Sequence, residues 1–136
     1  MSNWKKNRRR KKKGYGIGIG CYSFISGGVF NWFNTQYPFS AAEVRAFADG
    51  TVHLLTMAAD IGQGSDTVLK QILADALGLS MADIRLTAAD TAMTPQADLG
   101  TWGSRVTLMA GNAVLDAAKK IKQRLAGAVS ARFDLN

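Results

Sequence analysis

The sequence is poor in the residues that most often bind metals or form cross-links. It contains one cysteine, Cys21, and one histidine, His53. A single cysteine excludes a disulfide within the chain and a metal cluster built on cysteines, and a single histidine argues against a site made of several imidazoles. No run of about 18 apolar residues is present, so no segment is predicted to cross a membrane. The basic N-terminus is followed by glycine-rich sequence that does not resemble a signal peptide, and we therefore expect a cytoplasmic protein.

Charge is distributed unevenly along the chain. Eight of the 17 basic residues lie within 5–13, which contains no acidic residue, so the remainder carries nine basic and 10 acidic side chains. The formal net charge of +7 is therefore a property of the N-terminal segment. Because like charges repel and little can be buried there, residues 1–13 are predicted to be a disordered basic arm, and residues 14–136 the folded domain.

Two interpretations of the basic arm remain open. It is either a solvated linker or a segment that binds nucleic acid, which would make the chain a nucleic-acid-binding module. Trp4 is the only aromatic residue within it, so it lacks the interleaved stacking residues of a single-strand binder.

The rest of the sequence is typical of one globular domain. Its 136 residues are 47% hydrophobic and 20% charged, which is enough apolar material for a core. The predicted elements are a hairpin with strands at 41–48 and 51–58 and a two-residue Asp49-Gly50 turn, a strand at 84–88, helices at 67–77 and 104–125, and a glycine-alternating strand at 14–28. The predicted fold class is α+β, with an antiparallel hairpin and further strands packed by two main helices.

The octet from Asp60 to Thr67, DIGQGSDT, connects a predicted strand to a predicted helix. Gly62 and Gly64 flank Gln63, so the backbone can turn tightly there. Ser65 is predicted to cap the helix. Because free amides at a helix start bind anions, this turn is either a phosphate site or an unoccupied strand-to-helix connection.

A second glycine-containing loop, 99–103, precedes the other predicted helix. Ser104 and Thr107 offer hydroxyl groups, and Arg105 offers a positive charge suited to phosphate. No general base with a plausible partner is visible. Two such turns predict a cradle for a ligand with several phosphates better than they predict a complete active site.

Two remaining segments carry weaker signals. Residues 27–40 are rich in aromatic side chains and amides, which favours contact with a partner or a neighbouring domain slightly over burial in a self-contained core. Cys21 is predicted to be a small packed residue.

Together the motifs resemble the molybdenum-cofactor-binding subunit of the xanthine dehydrogenase family. The resemblance covers about residues 14–122 and is carried by 60–64, Asp90-Thr91, Thr94-Pro95 and 103–113. Within the family, 60–67 and 104–107 look most like the large subunit of 4-hydroxybenzoyl-CoA reductase. That branch implies reductive removal of a phenolic hydroxyl from an aromatic CoA thioester.

The resemblance implies roles for individual residues. Gly62, Gln63 and Gly64 would hold the pterin end near molybdenum, and Gly103 would lie beside metal and substrate. Ser104 and Thr107 would contact the pterin phosphate, next to Arg105. Trp102 stands where the reductase branch has an aromatic residue and is expected to be near the substrate. Val106 stands where the purine-oxidising members have a hydroxyl residue, so the resemblance argues against a purine substrate.

The resemblance also implies cofactors and partners. The cofactor would be molybdopterin with molybdenum, in the cytosine dinucleotide form, and iron–sulfur clusters and FAD would lie on partner chains. The family's subunit is several times longer, and its glutamate base lies in a segment that this sequence lacks. We therefore expect a cofactor-cradling segment that is inactive alone, with no catalytic residue or direct metal ligand assigned, or a structural fragment without a ligand.

Overall fold

A computed structural model describes residues 14, 16, 18–24, 26–27, 39–96 and 98–134. The strands are β1 (Ala42–Ala46), β2 (Val52–Thr56) and β3 (Ile84–Ala88), and the helices are α1 (Ser65–Leu77) and α2 (Val106–Phe133), with a short 3₁₀ turn at Met81–Asp83. The predicted basic arm and residues 28–38 of the predicted aromatic loop lie outside the described residues, so the division of the chain after residue 13 stays a prediction.

The three strands form a mixed sheet in the order β1-β2-β3. β1 pairs antiparallel to β2, and β2 pairs parallel to β3, with Leu54 opposite Leu86. Parallel neighbours require a crossover connection, which α1 supplies. β2 and β3 consequently end at the same edge of the sheet, where the N–H of Ala89 donates to the carbonyl of Thr56 at 3.0 Å. The predicted α+β class is confirmed.

The hairpin contains a three-residue connection rather than the predicted two-residue turn. The N–H of Gly50 donates to the carbonyl of Phe47 at 3.1 Å, and the N–H of Phe47 donates to the carbonyl of Thr51 at 2.9 Å. Gly50 is left-handed at φ 86°, whereas Asp49 does not have a positive φ. A type I′ turn would require positive φ at both central residues, so Asp49-Gly50 follows the longer turn with a glycine bulge.

One hydrophobic core lies between the two helices and the sheet. Leu54 on β2, Leu69 and Leu73 on α1, and Val114 on α2 have no exposed surface. The helices approach closely at Gly111, where an added side-chain carbon would lie 3.1 Å from Cδ1 of Ile72. This packing fixes where both helices begin relative to the sheet edge.

The end of α1 agrees with the prediction from the sequence, whereas the end of α2 does not. α1 ends at left-handed Gly78, whose N–H donates to Ala74, as predicted. α2 continues to Phe133, well beyond the predicted end near Leu125. It passes through Gly127 because one interior glycine costs only about 1 kcal/mol, which good helix formers on both sides offset.

The glycine-alternating segment does not form the predicted strand. Among its described residues, 18–24 adopt no regular structure, and Tyr22 and Phe24 are exposed. A strand requires a hydrogen-bonded neighbour, and the described sheet offers this segment none. Cys21 is likewise exposed, so the prediction that it is packed is wrong.

His53 is a hydrogen-bonded residue of β2. Its Nε2 lies 2.8 Å from Oγ1 of Thr87 on the neighbouring strand. Neither described helix combines the length and the apolar character needed to cross a bilayer.

Candidate functional site

The first loop, residues 59–64, is organised by the carboxylate of Asp60. Its Oδ1 accepts the N–H groups of Gly62 at 2.8 Å and Gly64 at 3.4 Å, and its Oδ2 accepts the N–H of Asp66 at 3.2 Å. These N–H groups belong to the turn in which a phosphate site was considered from the sequence. Asp60 thus already accepts three amides of this turn from within the chain, which favours the unoccupied strand-to-helix connection over a phosphate site.

Ser65 does not cap α1. It is the first helical residue, and the capping position belongs to left-handed Gly64 at φ 79°, without a side-chain hydrogen bond. The hydroxyl of Ser65 instead accepts a hydrogen bond from Nε2 of Gln63 at 2.9 Å. The side chain that accepts hydrogen bonds from the amides of this turn is therefore that of Asp60.

The two acidic residues of this turn have opposite pKa shifts. Hydrogen bonds from the N–H groups of Gly62 and then Asp66 hold the pKa of Asp60 below its ordinary value. For Asp66, burial raises the pKa, and the neighbouring Asp60 charge raises it further. Asp60 is consequently the stable anion at the start of α1, where the helix dipole favours negative charge.

The first loop also fixes the side chain of Gln63. Its Oε1 accepts the N–H of Ile61 at 2.7 Å, and its Nε2 donates to the carbonyl of Ala59 at 3.2 Å as well as to Ser65. Both ends of the amide are therefore held by the loop itself, which gives the exposed Gln63 a defined orientation.

The second loop, residues 98–105, encloses a buried ion pair. Nη1 of Arg105 contacts Oδ1 of Asp98, and the two side chains are 0% and 2% exposed. Nη1 also donates to the carbonyl of Gly100 at 3.0 Å, and Oδ1 of Asp98 accepts the N–H of Gly100 at 2.8 Å. The prediction that Arg105 presents an open charge to phosphate is wrong, since its guanidinium lies inside the loop.

The backbone changes hand twice at the end of the second loop. Gly103 and Ser104 are left-handed, at φ 57° and 53°, and Arg105 returns to the right-handed region at φ −89°. Successive amides in such a turn point into a common concavity that suits an anion. A non-glycine residue in this conformation costs about 1–3 kcal/mol, which the surrounding loop must offset.

The first amides of α2 remain open. In the described part of the chain, no acceptor is present for the N–H groups of Val106, Thr107 and Leu108, whereas Met109 donates to the carbonyl of Arg105 at 2.7 Å. Ser104 and Thr107 are exposed beside these amides. Of the two predicted anion turns, the first already binds the chain's own carboxylate, whereas the second has no such internal acceptor among the described residues.

The two loops meet at the carbonyl of Ala59. Oγ1 of Thr101 donates to it at 2.6 Å, and so does Nε2 of Gln63. Between the loops lies a cleft of about 340 Å³, lined by Ile61, Gln63 and residues 101–107. A ligand in this cleft would meet Gln63 on one side and the start of α2 on the other.

The structure thus gathers most of the sequence-predicted site residues. The cleft is lined by Gln63, Trp102, Gly103, Ser104, Arg105 and Thr107, while Gly62 and Gly64 lie next to it in the first loop. Two further residues of the site were not predicted from the sequence: Thr101, which joins the loops, and Asp98, which pairs with Arg105. Nothing in the sequence marks Thr101; the opposite charges of Asp98 and Arg105, seven residues apart, were the available signal.

Residues 1–136 match a protein family described as a molybdopterin cofactor-binding domain. The xanthine dehydrogenase molybdenum-binding subunit of Escherichia coli O157:H7 is 32% identical over 111 residues, which cover 81% of this chain and 14% of that protein. The carbon monoxide dehydrogenase large chain of Afipia carboxidovorans is 40% identical over 86 residues, 63% of this chain and 10% of that protein.

The fold has a counterpart among solved structures. The reconstituted CO dehydrogenase from Oligotropha carboxidovorans superposes with a TM-score of 0.67 at 35% identity, over 72% of this chain and 12% of that chain. The present chain therefore spans a small part of the length of the proteins it resembles.

Proposed function

The chain belongs to the molybdopterin cofactor-binding domain family, and from this premise we propose that it forms one wall of the molybdenum-cofactor site in an oxidoreductase of the xanthine dehydrogenase and CO dehydrogenase type. In this proposal the cofactor supplies the redox chemistry. The residues of this chain bind and orient it.

The observation that supports the proposal most directly is the open start of α2. Three N–H groups, from Val106, Thr107 and Leu108, carry no acceptor within the described residues, and the cleft beside them is lined by Ser104 and Thr107. Amides at a helix start and neighbouring hydroxyls are the donors that a phosphate group requires. We place a phosphate of the cofactor at this position.

The first loop would hold the other end of the cofactor. Gln63 is oriented by its own loop, and its amide both donates and accepts, which suits a pterin edge or an oxygen ligand of molybdenum. Gly62 and Gly64 allow the turn that places it there. Gly103 and Trp102 would lie beside the substrate, with Trp102 limiting its size.

The cleft is too small to enclose a dinucleotide cofactor. Its volume of about 340 Å³ is near the lower end of the range for sites that bury small ligands. Further segments or subunits of the same enzyme, including those with iron–sulfur clusters and FAD, are therefore part of the proposal. We also propose that the cofactor is in the cytosine dinucleotide form and that the protein is cytoplasmic.

The substrate is a finer proposal. The resemblance of 60–67 and 104–107 to the 4-hydroxybenzoyl-CoA reductase branch supports an aromatic thioester such as 4-hydroxybenzoyl-CoA, or a related aromatic compound. The relatives described above carry other names, so this assignment rests on the two short segments and on the aromatic Trp102.

The phosphate site can be tested on the full chain with inorganic pyrophosphate. We expect pyrophosphate to shift the amide NMR signals of residues 106–108. Thr107→Val should weaken binding about tenfold, the loss expected for one hydrogen bond to a charged group. Thr67→Val is the matched control, because Thr67 is also an exposed first-turn threonine but belongs to the helix that Asp60 already caps.

Two results would count against this site. One is a chain whose amide signals do not respond to pyrophosphate. The other is a response centred on residues 62–66, which would mean that the anion displaces Asp60 instead of binding at α2.

A further inference from the structure

Arg105 is one of the residues around the cleft, but its side chain has no exposed surface. Its side chain is 0% exposed, and its Nε and Nη2 have no hydrogen-bond partner among the described residues. An anion in the cleft could reach these atoms only if the second loop opened. A phosphate ligand would instead need its donors at the surface of the site.

Arg105 connects the second loop to the helix through both its side chain and its backbone. Its side chain braces Asp98 and the carbonyl of Gly100, its N–H donates to the carbonyl of Trp102 at 3.2 Å, and its own carbonyl accepts the first helical hydrogen bond from Met109. The guanidinium thus holds the start of the loop against the residue at which α2 begins.

This bracing accounts for the conformation of Ser104. Its left-handed backbone is unfavourable for a serine and persists only where the surroundings impose it. Ser104 lies between the braced segment, 98–102, and the helix start at Val106. Its conformation sets the direction in which the amides of Val106 and Thr107 point.

From this geometry we infer that Asp98 and Arg105 are positioning residues, which fold the second loop so that the first amides of α2 face the cleft, and that Arg105 does not contact the bound anion. The inference rests on the proposed function, because it assigns the anion to those amides. This role would explain why the Asp98–Arg105 ion pair is buried although neither side chain could contact a ligand from there.

Asp98→Asn distinguishes positioning from direct binding, because the two roles predict opposite changes in affinity. If Arg105 bound the anion directly, removal of the negative charge of Asp98 would free the guanidinium and strengthen binding. If the pair positions the loop, the same change loosens the loop and weakens binding. We expect the dissociation constant for inorganic pyrophosphate to rise about tenfold, as for one lost charge-assisted hydrogen bond.

Hydrogen exchange on the same samples without pyrophosphate provides the readout that does not depend on binding. We expect the amides of Gly100 and Arg105, which donate within the loop, to exchange faster in Asp98→Asn, while the core amides of Leu69 and Leu73 stay protected. Unchanged loop exchange, or tighter pyrophosphate binding, would overturn the inference. A wild-type chain that binds no pyrophosphate would instead refute the proposed anion site, and the exchange data would still decide the bracing role.

A measurement on the wild-type chain covers the case in which Asp98→Asn does not fold. Pyrophosphate is titrated while the Nε–H signal of Arg105 and the amide signals of residues 106–108 are followed. We expect the amide signals to move and the Arg105 signal to stay in place. A shift of the Arg105 Nε–H that saturates together with the amides would show direct contact and overturn the inference.

Discussion

Arg105→Met tests how much the fold depends on the buried ion pair. The substitution keeps much of the apolar length of the side chain and removes the guanidinium. Asp98, which is 2% exposed, would then keep the N–H of Gly100 as its hydrogen-bond donor. Removing one partner of a buried pair typically costs about 3–5 kcal/mol, because the remaining charge is left without compensation.

This cost is large compared with the stability of a small domain, which is about 5–15 kcal/mol. We therefore expect a clear fall in the urea midpoint of unfolding, measured by far-UV circular dichroism, or loss of cooperative unfolding. The double variant Asp98→Asn/Arg105→Met should recover part of the loss, since no charge stays buried. In contact pairs of this kind the effects of the two substitutions are not additive.

Arg45→Met is the control for the loss of an arginine–carboxylate pair at the surface. Arg45 lies 2.6 Å from Glu43, but both side chains are 47% exposed, so solvent screens their attraction. We expect little change in the urea midpoint of this variant. Equal destabilisation by Arg45→Met and Arg105→Met would refute the argument that burial makes the Asp98 pair essential.

Three further predictions follow from the first loop and the incomplete cleft. Gln63→Ala in the assembled enzyme should lower bound molybdenum or turnover, measured by metal analysis and dye-linked reduction; unchanged values would remove Gln63 from the site. Because the pKa of Asp60 is lowered in the folded chain, its contribution to stability is present above its ordinary pKa and is lost as pH falls through the lowered value. Melting temperatures between pH 7 and pH 3 should therefore fall less on acidification in Asp60→Asn than in the wild type, and parallel curves would contradict the capping role. The isolated chain should show no dye-linked oxidoreductase activity and no stoichiometric molybdenum, and turnover by the chain alone would mean that it holds a catalytic group not identified above.

In the proposed site, the two loops would contribute different groups to cofactor binding. Asp60 accepts the amides of Gly62, Gly64 and Asp66, so the first loop would contribute its shape and the oriented Gln63. The second loop contributes the open donors. The hydrogen bond from Thr101 to Ala59 ties the two contributions together, so a displacement of either loop would change the cleft.

The sequence by itself determined several of the local elements. Strand β3 lies at Ile84–Ala88 as predicted, the hairpin strands fall within their predicted ranges, and α1 ends at Gly78. Each of these depends on side-chain alternation, helical spacing or the backbone freedom of glycine, which neighbouring residues in the sequence largely decide. Ser104, Arg105 and Thr107 were also proposed in this way, from a glycine loop that runs into a helix, whereas the roles of Trp102 and Gly103 came from the family resemblance.

The tertiary structure decided which of those groups are available to a ligand. The amides of residues 62–66 and the guanidinium of Arg105 both looked available to an anion, but Asp60 binds three of those amides and Arg105 lies buried against Asp98. The reason is that the partner of an amide or a guanidinium depends on the path of the whole loop, and burial depends on what packs over it. Thr101 became significant only when β2 and β3, paired in parallel, brought the two loops to the same edge of the sheet.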